Sequence, residues 1–433
     1  MTILSSAKLH SLIGRLKNSP LAKDSFWSLF GNAMGRGLSL IAGIAIARFL
    51  GSDAYGQYGM IKGTLLSIAI FSSFGLGYTA TKYIAENHIK NLQKTADIHK
   101  VTQIITILFS SLIAIAVAVF SNPIAAWLDD IELGSILRWA SIGVILNAVI
   151  TTQIGELGGF RAYKIVARNN IIYGIFTFMV SIPFAYFWGL KGAVIALVMS
   201  LTLNVVVNEI SLHKFVSFRA GRLQKSEVAD ILKFSLPIAL QESLYSITSW
   251  AGMAIIIKLS DYSQLGLYSA ASQWMAVMLF IPGALRNVAL SHLSENADNL
   301  ENSNRITHRL LLVNFVSTFI PFIFIAILSK WISELYGASF ADLPLVLNIC
   351  IFSAVVNSLS NVLTQEFIAQ NQNWFLFWTR LVRDSSVLVL GYLAILRFGN
   401  AAVCFASSWL GMQVFYLLML LVKRRFIYKS SRA

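Results

Sequence analysis

Charge is scarce in this chain of 433 residues. Only 12% are Asp, Glu, Lys or Arg, about half the share that soluble domains carry. Hydrophobic residues make up 56% and mean hydropathy is +0.68, which excludes a soluble globular fold. Cysteine is almost missing. Cys350 and Cys404 both sit in apolar runs, so no disulfide framework is implied. The six histidines, at positions 10, 88, 99, 213, 292 and 308, have no cysteine or second histidine at ligand spacing. They read as solvated loop residues, and neither a metal site nor a cofactor is expected. A Gly-x-x-x-x-Gly-Lys-Ser/Thr phosphate loop is absent, which excludes a self-contained ATP-driven pump. No Asp-x-Asp pair and no long outer loop are present to house a polymerase or glycosyltransferase site, so an enzyme is not expected.

Long apolar runs are what the chain does have. Broken by polar clusters, they predict twelve helices, at 25–48, 61–82, 102–121, 134–155, 169–188, 192–212, 231–257, 266–290, 309–329, 342–366, 376–396 and 400–422. Each is long enough to cross a hydrocarbon layer of about 30 Å. Asn122-Pro123, Gly189 and Gly399 punctuate the turns. With both ends placed in the cytoplasm, 26 of the 34 Lys and Arg residues fall on the inner side and seven on the outer, with Arg36 inside a span. Short loops with that asymmetry set the orientation, and the net charge of +14 is read as basic cytoplasmic loops, not a nucleic-acid surface. Residues 1–24 lack the apolar core and cleavage site of a signal peptide. They are read as a basic cytoplasmic segment in which Leu9, Leu12, Ile13 and Leu16 either lie on the bilayer or are part of a solvated tail.

The chain also matches itself at a fixed offset of 210 residues. Lys23 meets Lys233, Ser39 meets Ser249, Arg48 meets Lys258, Gly56 meets Gly266, Tyr58 meets Tyr268, Asn147 meets Asn357, Glu156 meets Glu366 and Gly189 meets Gly399. Six spans per repeat is an even number, so both repeats enter the membrane in the same direction. The expected fold is an all-α polytopic membrane protein of twelve transmembrane helices, two parallel six-helix repeats about a pseudo-twofold along the membrane normal. Its parts are the N-terminal segment 1–24, one half at 25–212, a cytoplasmic linker at 213–230, a second half at 231–422 and a basic cytoplasmic tail at 423–433.

The segment from Ala47 to Tyr58, Ala-Arg-Phe-Leu-Gly-Ser-Asp-Ala-Tyr-Gly-Gln-Tyr, is followed by Phe74-Gly75-Leu76-Gly77 and Lys82-Tyr83-Ile84-Ala85-Glu86. It resembles the N-terminal signature of bacterial polysaccharide transporters, the Wzx-type O-antigen flippases of the multidrug/oligosaccharidyl-lipid/polysaccharide exporter superfamily. The resemblance implies a multi-pass protein of the bacterial inner membrane that moves an undecaprenyl-diphosphate-linked oligosaccharide, such as an O-antigen repeat unit of lipopolysaccharide, from the cytoplasmic to the periplasmic leaflet. Membrane lipids, a coupling H+ or Na+ and polysaccharide assembly proteins are the partners in that reading. An ion-coupled multidrug exporter of the same superfamily is the alternative, and a membrane polysaccharide polymerase or ligase a more distant one.

Ionisable groups deep in a span are costly unless they face a bundle interior or a watery cavity. Arg36 is 11 residues from one end of its span and 12 from the other, about 16 Å from either surface at 1.5 Å per residue. Asn32, Arg36 and Ser39 form one helical stripe, and Glu242, Ser246 and Ser249 form its counterpart, at matched places in the two repeats. These six line the expected substrate cavity, with Asn147 and Asn357 on the fourth and tenth spans and Arg286 at the inner end of the eighth. Arg36 would offer a cation to a diphosphate, and Glu242 a carboxylate to a coupling ion. A purely structural Arg36–Glu242 pair is the competing reading. Glu156 and Glu366, at matching inner mouths, are read either as gate residues or as carboxylates paired with Arg161 and Arg380. Asp129, Asp130 and Glu132 are read as a solvated outer loop.

Overall fold

The computed structural model describes residues 20–89, 91–215, 225–283, 285, 293, 300–370 and 372–430, and all regular structure among them is helical. Thirteen helices organise these residues: α1 (Pro20–Ser72), α2 (Leu76–Asn87), α3 (Leu92–Val119), α4 (Ser121–Trp127), α5 (Ile131–Ala140), α6 (Ile142–Gly159), α7 (Tyr163–Leu212), α8 (Lys225–Leu259), α9 (Tyr262–Met278), α10 (Leu300–Tyr336), α11 (Leu343–Ala369), α12 (Asn373–Phe398) and α13 (Ala401–Ser430). Residues 1–19, including the apolar positions near the N-terminus, and Arg286 lie outside the described residues.

Sequence punctuation explains where these helices turn. Two expected spans run together in α1, which bends at Gly51 (φ 75°), and two more in α7, which bends at Gly189 (φ 56°). Gly399, the 210-offset partner of Gly189, has φ 82° and ends α12. A left-handed φ at a helix end is the conformation glycine adopts without a Cβ penalty. Other boundaries are set by side-chain caps. Asn91 accepts from the Lys94 N–H at 2.9 Å, and Asp261 from the Gln264 N–H at 2.8 Å.

Some expected spans are interrupted. The 61–82 run breaks at Ser73–Gly75, where Phe74 and Gly75 both have positive φ, and the 134–155 run breaks at Ser141. Asn122-Pro123, expected as a turn, lies inside the short helix α4. Apolar patterning reports which residues are dry, and cannot by itself see a local backbone break inside a dry segment.

Among the described residues, seven helical segments are long and apolar enough to cross a membrane. Their outward faces carry exposed stripes, Leu108, Leu112, Ile115 and Val119 on α3 and Leu312, Phe324 and Ile327 on α10. The i, i+4, i+7, i+11 spacing on α3 is one helix face turned to lipid. The largest buried cluster runs from Ile61, Leu65 and Val144 through to Ile256, Leu265, Ile351 and Phe405, so it joins helices of both sequence repeats.

Candidate functional site

The second helical segments of the two repeats, the part of α1 beyond Gly51 and α9, meet at a glycine crossing. A Cβ on Gly56 would overlap the Tyr262 carbonyl oxygen, and a Cβ on Gly266 would overlap the Ser52 carbonyl oxygen. Tyr262 is the offset partner of Ser52, as Gly266 is of Gly56. The contact is therefore reciprocal, each glycine receiving the same backbone oxygen of the opposite repeat, as at an isologous interface. Only a residue without a side chain admits that approach. Ser52 Oγ and Ser263 Oγ share a 2.7 Å hydrogen bond beside it.

Charges repeat the exchange. Arg48 at the end of the first span donates from Nη1 to the carbonyls of Glu334 (3.4 Å) and Leu335 (3.2 Å) on α10. Its offset partner Lys258 reaches the other way, to Asp129 at 2.5 Å. Asp129 remains on the exposed outer loop expected for it while making this ion pair, and Asp130 accepts from Gln57 Nε2 at 2.7 Å. Burial first, and then the charges of Asp130, Asp129 and Asp53, push the Tyr262 phenol above its ordinary range. It stays protonated and donates to the Leu128 carbonyl at 3.2 Å.

Farther along α1, towards Arg36, the interface is polar. Gln273 of α9 donates from Nε2 to the Ser39 carbonyl at 3.1 Å and accepts from Tyr55 OH at 3.1 Å. Arg36 is exposed. It donates from Nη1 to the Ala276 carbonyl at 3.2 Å, with its guanidinium 5.5 Å from the Phe280 ring centroid. Ser39 Oγ donates to the Gly35 carbonyl four residues back. The Arg36 guanidinium and the Ser39 carbonyl therefore reach α9 of the other repeat, while the Ser39 hydroxyl stays on its own helix. The side chains of Asn32 and Glu242, and with them the expected facing of Arg36 and Glu242, lie outside what is described. Ser246 is buried and its Oγ has no partner among the described residues, while Ser249 on the same helix is half-buried. Gln273 carries no charge and no offset match, which hid it from a reading based on charge and repeats.

The remaining candidates sit inside one repeat or the other. Asn147 is half-buried on α6, its carbonyl taken by Thr151 Oγ1 at 2.8 Å. Asn357 accepts from Gln413 Nε2 at 3.4 Å, a bond between α11 and α13. Glu156 and Glu366 are both buried, and their expected pairing with Arg161 and Arg380 is corrected. Glu156 accepts from Thr102 Oγ1 at 2.8 Å and Gln103 Nε2 at 3.0 Å, and meets His99 Nδ1 at 2.8 Å. Glu366 accepts from Arg424 Nε and Tyr428 OH, both at 2.7 Å. His99 is thereby half-buried in a polar network and is no solvated loop residue. Loop spacing favours the neighbour in sequence; packing brings in a different helix, α3 for Glu156 and α13 for Glu366.

A family model described as "Polysaccharide biosynthesis protein" matches residues 21–290, well over half of the chain. The chain belongs to the polysaccharide biosynthesis protein family. Within that family setting, it is 23% identical over 433 residues to the EPS I polysaccharide export inner membrane protein EpsE of Ralstonia nicotianae, covering 96% of each chain. It is 21% identical to the putative O-antigen transporter of Shigella flexneri, covering 79% of this chain and 83% of that one. Among solved structures, an inward-facing MATE family transporter of the MOP superfamily superposes with a TM-score of 0.80 at 14% identity, covering 94% of this chain and 99% of that one. The lipid II flippase MurJ in an inward closed conformation gives 0.72 at 14%, covering 92% and 87%. These likenesses show that the chain shares the fold of these two transporters.

Proposed function

We propose that this family member is a flippase that carries an undecaprenyl-diphosphate-linked oligosaccharide, a repeat unit of a surface polysaccharide, from the cytoplasmic to the periplasmic leaflet of the bacterial inner membrane. The observation that carries the reading is the family match together with a polysaccharide export relative aligned along nearly the whole chain. Twelve spans in two parallel halves, 25–212 and 231–422, with both termini cytoplasmic, are the architecture of this proposal. The reciprocal Gly56–Gly266 crossing is what a twofold between such halves would produce.

Alternating access of the halves exposes the polar interface around Arg36 to one leaflet at a time. Arg36 offers a planar donor fork to the diphosphate, and the polyprenyl tail stays in lipid. Asn32, Ser39, Ser246, Ser249 and Arg286 complete the cavity lining of this proposal, with Asn147 and Asn357 reaching it from within their own repeats, Glu242 as the group for a coupling H+ or Na+, and Glu156 and Glu366 as gate residues at the inner mouths. Energetically, a headgroup of about two negative charges moving out of an inside-negative cell gains about 4.6 kcal/mol per 100 mV, so no ATP site is needed.

Deletion of the gene in its host tests the reading. Completed lipid-linked repeat units should accumulate in the cytoplasmic leaflet and the surface glycan should be lost. Surface glycan that persists without a redundant transporter, with drug sensitivity raised, would assign the chain to drug export instead.

A further inference from the structure

At the end of the molecule holding Glu366, a cavity of about 970 Å³ opens between the N-terminal part of α10 and the C-terminal part of α13. Asn304 lines it from α10, and Val422, Arg424, Arg425, Phe426 and Tyr428 from α13. Among the described residues, two guanidinium groups border the space and no carboxylate does. Beneath it, Glu366 accepts from Arg424 Nε and Tyr428 OH, so the Glu366 charge is neutralised by Arg424 and the net positive charge facing the space is that of Arg425. Arg424 is further fixed by donating from Nη2 to Asn304 Oδ1 at 2.7 Å and by lying 4.8 Å from the Tyr428 ring centroid. Its Nη1 is the donor left over. Arg425 is exposed and has no ion-pair or hydrogen-bond partner among the described residues.

The rim is apolar and also exposed, with Phe426 at 68% and Val422 at 54% exposure, and Leu418 one turn farther into the span at 54%. That is a cationic pocket at the top of a greasy stripe. The same level is marked on the adjoining helix by exposed Trp374 (75%) and Trp378 (58%), and by Lys423 over the Phe375 ring at 5.6 Å. Exposed tryptophans beside basic residues mark the depth of lipid headgroups. A pocket of that volume is within the usual range for a small-molecule site.

We propose that this cavity is a binding site for an anionic phospholipid of the surrounding leaflet, its phosphate held by Arg424 Nη1 and Arg425 and its acyl chains lying along Phe426, Val422 and Leu418. The preformed Glu366–Arg424–Asn304 arrangement lowers the ordering cost of binding. The site stands apart from the interface around Arg36; it shares Glu366 with the inner gate of the transport reading, and lipid retention is read without transport.

The test uses the full-length protein, purified in neutral detergent, delipidated, and offered equal amounts of phosphatidylglycerol and phosphatidylcholine. Native mass spectrometry then counts the retained lipid. Wild type should retain phosphatidylglycerol preferentially. Arg425→Gln, which breaks no described contact, should weaken that retention about fivefold, the usual weight of one basic residue at an anionic surface. Arg425→Lys should keep most of it, and Lys191→Glu, an exposed residue at the start of another span, should leave it unchanged. Equal retention of both lipids by wild type, or an undiminished preference in Arg425→Gln, would overturn the proposal. So would retention of undecaprenyl phosphate with exclusion of phosphatidylglycerol, since the occupant would then be the polyprenyl carrier.

Discussion

Glu156 and Glu366 stand at matched places in the sequence repeat, and each is buried with its oxygens occupied, but the two are held by different chemistry. Glu366 relies on Arg424, a permanent cation, whereas Glu156 is shared among Thr102, Gln103 and His99. Removing one partner of a buried ion pair typically costs about 3–5 kcal/mol. Arg424→Leu should therefore sharply reduce folded protein, measured as monodisperse yield and thermal midpoint, and Glu366→Gln in the same chain should recover most of it. His99→Leu should cost less, because two neutral donors still serve Glu156. Arg36 differs in kind, since its described contacts are one carbonyl and one ring face. Arg36→Gln should leave membrane abundance near normal yet stop glycan export, with Arg36→Lys partly active because it keeps the charge and loses the fork. If Arg36 instead serves only to neutralise Glu242, Arg36→Gln and Glu242→Gln will each lower abundance and the double variant will restore both abundance and export. The place of Arg36 inside an apolar run was legible in the sequence. Its neighbours Ala276 and Phe280 were not, because a repeat offset equates positions within two halves and says nothing about which helix faces which.

Among the elements, α1 and α9 carry the account. Gly56 and Gly266 appear in the sequence as matched letters, and the structure shows them touching each other's repeat. Alanine normally improves a helix over glycine by up to about 1 kcal/mol. At Gly56 the sign should reverse: the new methyl would overlap a backbone carbonyl that belongs to a helix and not to a flexible side chain, a strain of about 1–3 kcal/mol. Gly411, where an added methyl would have nothing within 4 Å, is the control. Thermal unfolding in detergent should rank Gly411→Ala at or above wild type and Gly56→Ala and Gly266→Ala below it. A stabilised Gly56→Ala would mean that the two helices do not approach as described. Helix existence was readable from apolar run length, and Gly189 and Gly399 from turn chemistry. The breaks at Phe74-Gly75 and Ser141 were not, because the small residues there, Ser72, Ser73, Gly75 and Ser141, are of kinds that also occur inside continuous helices and are buried like the apolar residues around them.

At the scale of the molecule, the charge asymmetry of 26 inner to seven outer basic residues makes a topology prediction. Reporter fusions after residues 90, 220, 300 and 430 should read as cytoplasmic, and fusions near 55, 128, 262 and 335 as periplasmic. A periplasmic reading near 220 would leave the halves inverted and remove the parallel repeat. The cross-repeat exchange of Arg48 and Lys258 belongs to the outer side in this scheme. The central claim, that the chain moves a diphosphate-linked glycolipid across the bilayer without ATP, is tested most directly in sealed proteoliposomes. These would hold the purified protein and a fluorescent polyprenyl-diphosphate oligosaccharide, with leaflet position read by a membrane-impermeant quencher. The account predicts protein-dependent exchange between leaflets in the absence of nucleotide, biased toward the positive side by an imposed potential and abolished by Arg36→Gln. No exchange above protein-free vesicles at any potential, with uptake of a cationic dye by the same preparation, would contradict it.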